Sequence, residues 1–175
     1  MNYASVRSLD IANGEGVRTS LFVSGCTNNC PGCFNKEQQD FNYGRPFTPE
    51  IFSDVMAEVS SPIISGLSIL GGDPLCQNED GLSQLIALCR CVHSIGKTVW
   101  LWTGYTVERV YTREFSMHSL LQQVLLESCD VVIDGPFISG LSSRALVWKG
   151  SSNQRVVDMK RTIENKKITL YNNET

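Results

Sequence analysis

Three cysteines share the stretch Ser24-Gly25-Cys26-Thr27-Asn28-Asn29-Cys30-Pro31-Gly32-Cys33-Phe34-Asn35, and the next cysteine, Cys76, lies far downstream. Thiolates at Cys26, Cys30 and Cys33 could grip three corners of a cubane iron–sulfur cluster, leaving the fourth iron without a protein ligand. An iron with an open position can bind a small molecule directly, whereas a structural zinc site is normally closed by four ligands. Spacing alone leaves two other readings open. One is zinc completed by Cys76 or another distant cysteine; the other is a redox dithiol of the thioredoxin type at Cys30-Pro31-Gly32-Cys33.

A second string, Gly71-Gly72-Asp73-Pro74, is by itself only a turn. Its two glycines would also let backbone approach a ligand without side-chain obstruction, and Asp73 could accept from a ligand amine. Phe34, directly after the third cysteine, offers an apolar face to a nucleobase.

The elements that must bring these strings together are read from periodicity. Short β-branched or aromatic runs at 19–24, 67–70, 98–102 and 131–133 predict four strands. Between them, Thr48 and Pro49 open a helix whose apolar face is Ile51, Phe52, Val55, Met56 and Val59. Leu82, Leu85, Ile86, Cys89 and Val92 make a second face, ended by Gly96 as a left-handed cap. Leu120, Leu121, Val124 and Leu125 make a third. Strand–helix alternation predicts an α/β fold with a parallel sheet, and such folds gather their ligands beyond the carboxyl ends of the strands. The cysteine loop follows the first predicted strand and the Gly-Gly loop the second, so the two should meet.

Composition narrows the class. A chain of 175 residues can bury roughly 70% of its unfolded surface as one domain, without disulfides or metal to stay folded. Hydrophobic residues at 42% and charged residues at 19% are ordinary for a globular protein. A formal charge of −3 argues against nucleic-acid binding, which needs a concentrated basic surface. The first residues lack the apolar core of a secretory signal, and no apolar run reaches the ~18 residues of a membrane span. The expected compartment is the cytoplasm, where seven cysteines serve metal, redox chemistry or burial rather than a disulfide framework. Cys89 sits on an apolar stripe and reads as core, His93 and His118 read as structural or exposed, and residues 160–167 read as a solvated face. Trp100 and Trp102 share one strand face.

Several longer strings carry a resemblance. They are Asp10-Ile11-Ala12-Asn13-Gly14-Glu15-Gly16-Val17-Arg18, the cysteine loop with Leu21-Phe22-Val23 before it, Gly71-Gly72-Asp73-Pro74-Leu75, Trp100-Leu101-Trp102-Thr103-Gly104-Tyr105, and Trp148-Lys149-Gly150-Ser151-Ser152-Asn153-Gln154. Together they resemble the radical S-adenosylmethionine superfamily, and within it the activases of glycyl-radical enzymes. The resemblance implies a shortened, incomplete (β/α) barrel with parallel strands, spanning residues 1–156, and leaves 157–175 as an extension of unassigned role, with 167–171 as a possible added edge strand. It implies a [4Fe-4S] cluster on Cys26, Cys30 and Cys33, and S-adenosylmethionine bordered by Gly32, Cys33, Phe34, Gly71, Gly72 and Asp73. It implies reductive cleavage of S-adenosylmethionine to a 5'-deoxyadenosyl radical that removes a hydrogen from a glycine of the anaerobic ribonucleoside-triphosphate reductase. A one-electron donor such as flavodoxin would feed the cluster. The glycine loop would enter past Trp102-Thr103-Gly104-Tyr105, Asp134-Gly135-Pro136-Phe137 and Gly150-Ser151-Ser152-Asn153-Gln154. Activation of a different glycyl-radical enzyme of the formate-lyase type is the nearest alternative, and a zinc-binding interaction module the alternative of another class. Two positions depart from the family pattern: Phe34, often Tyr, and Glu15, where Pro is expected.

Overall fold

The structure, a computed structural model, describes residues 1–171. Its centre is built from the expected strands: β2 (Arg18–Val23), β4 (Gly66–Gly71), β5 (Thr98–Trp102) and β6 (Val131–Asp134), paired in parallel. These runs are rich in Val, Ile, Leu and aromatics because a parallel sheet is covered on both faces; every residue of β2 and of β6 is buried.

Around that centre the sheet is mixed. β1 (Asn2–Asp10) pairs antiparallel with β2, β3 (Arg45–Pro46) antiparallel with β1, and β7 (Arg155–Asp158) antiparallel with β6. The strand order is β3-β1-β2-β4-β5-β6-β7. The fold is therefore mixed α/β around an open seven-stranded sheet with β3 and β7 as its two edges. The expectation of parallel strands holds for the centre and fails at the margins, where short returning segments allow antiparallel pairing.

Helices cover one face. α1 (Pro49–Val59) starts after Thr48 with Pro49 in its first turn, and α2 (Glu79–Ser94) starts at Asn78, whose side chain accepts from the Gly81 amide. Gly96 follows α2 in the left-handed conformation, φ +73. α3 (Val107–Tyr111) and α4 (Met117–Glu127) fill the link to β6, and α5 (Met159–Asn165) follows β7. In α4 Leu125 is buried and Leu121 and Val124 pack against the core as expected, but Leu120 is exposed and Ser119, Gln122 and Leu126 are buried beside them. The cause is polar: Ser119 closes a capping box with Ser116, and Gln122 donates through Nε2 to the Leu75 carbonyl at 2.5 Å. No helix among the described residues is long and apolar enough to cross a membrane.

Strand parity separates two cores. Leu21, Val23, Leu67, Ile69, Val99, Leu101 and Val132 pack under the helices with Cys89. Trp100, Val131, Ile133 and Val156 form a second cluster on the opposite face, joined by Trp102, Trp148 and Tyr171. Arg18 lies beside this second cluster, 1% exposed, with its guanidinium 5.4 Å from the Trp100 ring. It donates to Ser68 Oγ, Leu67 O, Thr98 O and Thr98 Oγ1; burial still holds its pKa down at about 10. His93 is exposed and meets Asp130 at 2.9 Å. Of residues 167–171 only Leu170 pairs, as a single antiparallel bridge to Val157, so no added strand forms there.

Candidate functional site

β2 hands the chain to Gly25, whose φ of +102 and missing side chain are both needed: a Cβ there would stand 2.2 Å from the Phe41 ring. The loop that follows closes on itself, with the Gly25 amide donating to Gln38 O at 2.8 Å and the Cys26 amide to Gln39 O at 3.0 Å. Within it the Cys33 amide donates to Cys30 O at 3.2 Å across Pro31-Gly32.

β4 ends at Gly71, and the next loop is stitched to the first. The Gly72 amide donates to Val23 O at 2.7 Å and the Asp73 amide to Gly25 O at 2.8 Å. Gln77, 2% exposed, adds bonds from Nε2 to Ser24 O at 3.0 Å and Asp73 O at 3.2 Å. Asn35 donates to Gly71 O at 3.0 Å. Asn35 closes the cysteine string, but neither its role nor Gln77 is singled out by the sequence; each is a polar side chain just past its motif that reaches back across the loop pair.

Between the two loops and the second core lies a cavity of about 360 Å³, bordered by Cys26, Cys30 and Cys33. Phe34, Gly71, Gly72 and Asp73 also border it, as do Trp102 and Trp148. Gly32 is not among the residues bordering it; its φ is +75 and a Cβ there would meet Ser139 at 3.2 Å. The Phe34 ring is largely exposed at the cavity mouth, 5.1 Å from the Phe137 ring.

Asp73 is 1% exposed and holds three loops. Its Oδ2 accepts from Asn28 Nδ2 at 2.6 Å, Gly104 N at 2.9 Å and Thr103 Oγ1 at 3.1 Å; its Oδ1 accepts from Leu75 N at 2.9 Å. Burial pushes its carboxyl up to about 7, helped by the neighbouring Cys76 sulfur, while the Gly104 and Leu75 amides and the Thr103 hydroxyl pull the other way.

Cys76 sits beside the cysteine loop. Cys26, Asp73 and Cys76 bring their ligand atoms within 4.8 Å of one another. These groups already engage each other and their neighbours: Thr27 N lies 3.4 Å, Thr27 Oγ1 3.2 Å and Tyr105 OH 3.8 Å from Cys76 Sγ. The Cys26–Cys76 hydrogen bond raises the Cys26 thiol and lowers that of Cys76 to about 5, with the Thr27 donors adding to the latter effect. Cys89 and Cys129 are buried in the helix-side core.

The donor set bordering the cavity suits a [4Fe-4S] cluster. Three half-buried free thiols on one loop supply soft sulfur ligands, and the space beside them is large enough for a small molecule. Of the strings expected to admit a peptide, Trp102, Thr103, Gly104, Gly135, Phe137, Gly150 and Gln154 border the cavity. Tyr105 does not; it is 7% exposed, packed into the helix-side core with Arg109 and Arg113 over its ring. Asn153 donates to Pro136 O at 2.8 Å, and Gln154 both closes the Gly150–Ser151 turn and donates to Gly135 O at 2.8 Å.

The family described as a 4Fe-4S single cluster domain matches residues 12–157. Among curated proteins, the chain is similar to the anaerobic ribonucleoside-triphosphate reductase-activating protein of Salmonella typhi, 38% identical over 160 residues that cover 89% of this chain and 97% of that one. The proteins of the same description from Escherichia coli (strain K12) and Enterobacteria phage T4 are 37% identical over 159 residues and 36% over 157, covering 97% and 93% of their own lengths and 89% of this chain.

Proposed function

Since the chain belongs to the family of 4Fe-4S single-cluster anaerobic ribonucleoside-triphosphate reductase-activating proteins, we propose that it is the enzyme that installs a glycyl radical in such a reductase. The observation that carries this reading is the meeting of the Cys26–Cys33 loop and the Gly71–Asp73 loop on one cavity beyond the ends of parallel β2 and β4.

A [4Fe-4S] cluster held there would supply the electron for reductive cleavage of S-adenosylmethionine to methionine and a hydrogen-abstracting 5'-deoxyadenosyl radical. The chain's own contribution is position and exclusion. Cys26, Cys30 and Cys33 would hold the cluster without a fourth protein ligand, so that one iron would stay free for a small molecule. The backbone of Gly71–Asp73 borders the bound molecule and Phe34 offers its ring to the adenine. Asp73 acts from behind this wall, fixing Asn28 and Gly104 through the bonds described above. Gly32 belongs to the same cluster loop and sets the turn between Cys30 and Cys33.

The open sheet favours a macromolecular substrate. A shortened, incomplete (β/α) barrel leaves an entrance through which a peptide loop of the reductase's catalytic subunit can reach the cavity, past Phe137 and Gly150–Gln154. The reaction runs in the cytoplasm, fed by a one-electron donor such as flavodoxin, in the domain 1–156. Anaerobically reconstituted protein incubated with dithionite and S-adenosylmethionine tests the chemistry: methionine and 5'-deoxyadenosine should appear, and their absence from an iron-replete sample would refute it. About four irons with matching sulfide per chain, rather than one zinc, separates the enzyme from a zinc-binding module.

A further inference from the structure

The family match ends at Val157, and the residues that follow carry a structure of their own. They fold back along the free edge of the sheet. Asp158 caps α5 through the Arg161 amide, and Lys166 ends it in the left-handed conformation, φ +51. The returning segment is held by Thr169 N to Thr162 Oγ1 at 2.9 Å, by Asp158 N to Thr169 O at 2.9 Å, and by the Leu170–Val157 bridge. Its end delivers Tyr171 to the face of the sheet opposite the helices.

There Tyr171 touches both sides of the cavity's base. Its ring packs edge-on against Trp100 at 5.2 Å and against Trp148 at 6.2 Å, and its hydroxyl bonds to Glu15 Oε2. Glu15 belongs to the loop between β1 and β2, which borders the cavity through Ala12 and Asn13. Trp148 borders it from the other side, followed by Lys149 and Gly150.

Trp148 is the element that needs holding. Its φ is +60, a conformation that costs a bulky L-residue energy and persists only where the surroundings enforce it. Three contacts enforce it: the Trp100 ring at 4.8 Å, the Trp102 Nε1–H bond to the Trp148 carbonyl at 2.8 Å, and the Tyr171 ring. Glu15 and Tyr171, from opposite ends of the chain, meet each other.

We propose that Tyr171 is a positioning residue for the S-adenosylmethionine site, a strap that ties the Glu15 loop to the strained Trp148 and so fixes two walls of the cofactor cavity. The proposal rests on the function proposed above. It acts through Trp148 and the Ala12–Asn13 loop, with no contact to the reacting atoms.

The test uses the full chain with its cluster reconstituted anaerobically and S-adenosylmethionine as the probe. Tyr171→Ala should keep wild-type iron content while raising the dissociation constant about five-fold, the scale of a lost aromatic contact. Its near-ultraviolet circular dichroism, which reports the tryptophan packing, should weaken. Tyr171→Phe keeps the ring and removes the hydroxyl that bonds to Glu15, so it stays informative if the alanine variant misfolds. Tyr171→Phe and Glu15→Ala should each raise the constant by a smaller and similar factor, and the double variant no further, because both remove one bond. Wild-type affinity with an unchanged spectrum in Tyr171→Ala overturns the proposal, as does full additivity of Tyr171→Phe and Glu15→Ala. If the iron-replete wild-type protein takes up no S-adenosylmethionine, the functional reading fails and the proposal with it, whereas wild-type uptake with unchanged affinity in Tyr171→Ala overturns the proposal alone.

Discussion

The Cβ that Gly72 lacks would stand 2.5 Å from the carbonyl oxygen of Gly25 and 2.9 Å from its amide nitrogen, so the two loops bounding the cavity meet backbone on backbone. This changes what a substitution there should do. Sequence alone suggests that a side chain at Gly72 blocks the ligand and spares the iron. The geometry instead directs it into the cysteine loop, where overpacking costs about 1–3 kcal/mol. Gly72→Ala is expected to lower the unfolding free energy by that amount and to reduce the iron retained after reconstitution, both measurable by urea titration and iron assay.

The ion triad at the end of β6 makes a separate stability prediction. Arg155 pairs with Asp134, which is 1% exposed and also accepts the Val107 amide, and it forks onto Glu108 at 2.9 and 2.7 Å. Its two carboxylate partners push the guanidinium pKa upward, while the same pairing lowers that of Glu108. Arg155→Ala leaves the Asp134 charge buried without its partner, a loss of about 3 kcal/mol. Glu108→Ala, removing the more exposed arm, should cost under about 1 kcal/mol. Denaturant midpoints of the two variants check the order.

Tyr105 and Phe137 separate folding from docking. Tyr105 is packed in the core, so Tyr105→Ala is expected to cost about 3–5 kcal/mol and to depress cofactor cleavage and radical transfer together. Phe137 lies at the cavity mouth against the exposed Phe34 ring. Phe137→Ala should leave the melting temperature nearly unchanged and lower glycyl-radical yield more than the partner-free cleavage of S-adenosylmethionine. Equal losses in both assays would remove Phe137 from the docking surface.

How far these features could be read in advance follows from the residues themselves. The four central strands and the faces of α1 and α2 were legible because a covered sheet and its helices must be apolar at fixed periods. β1 was missed because Arg7, Ser8 and Leu9 are exposed and its pattern is broken by irregular pairing with β2. β3, of two residues, is too short to carry a period, and β7 offers only Val156 and Val157 between the charged Arg155 and Asp158. In α4 the apolar stripe holds at Leu121, Val124 and Leu125 and fails at Leu120, because the Ser116–Ser119 cap and the Gln122 bond bring polar side chains to the buried face. At the site, the cysteine spacing and the Gly-Gly string were readable from chemistry and resemblance. The saturation of Asp73 by donors from three loops was not, since nothing local in the chain shows which amides converge on a carboxylate. The Glu15–Tyr171 contact, 156 residues apart in sequence, has no local signal at all.

The cysteine series tests the ligand set. Ala at Cys26, Cys30 or Cys33 should each abolish the reconstituted cluster, as judged by iron, sulfide and the visible absorption band. Cys76→Ala should retain it, despite the hydrogen bond to Cys26, because Cys76 lies on the other loop and its thiol is engaged by Thr27 and Tyr105. Loss of iron in Cys76→Ala with retention in Cys30→Ala would replace the open cluster by a site closed through Cys76.

The most direct measurement is electron paramagnetic resonance of the anaerobic ribonucleoside-triphosphate reductase after anaerobic incubation with this protein, a reductant and S-adenosylmethionine. The account predicts a glycyl-radical signal on the reductase polypeptide that requires both S-adenosylmethionine and reductant and is absent with the Cys30→Ala variant. An iron-replete, S-adenosylmethionine-binding preparation that leaves the reductase without that signal would contradict it.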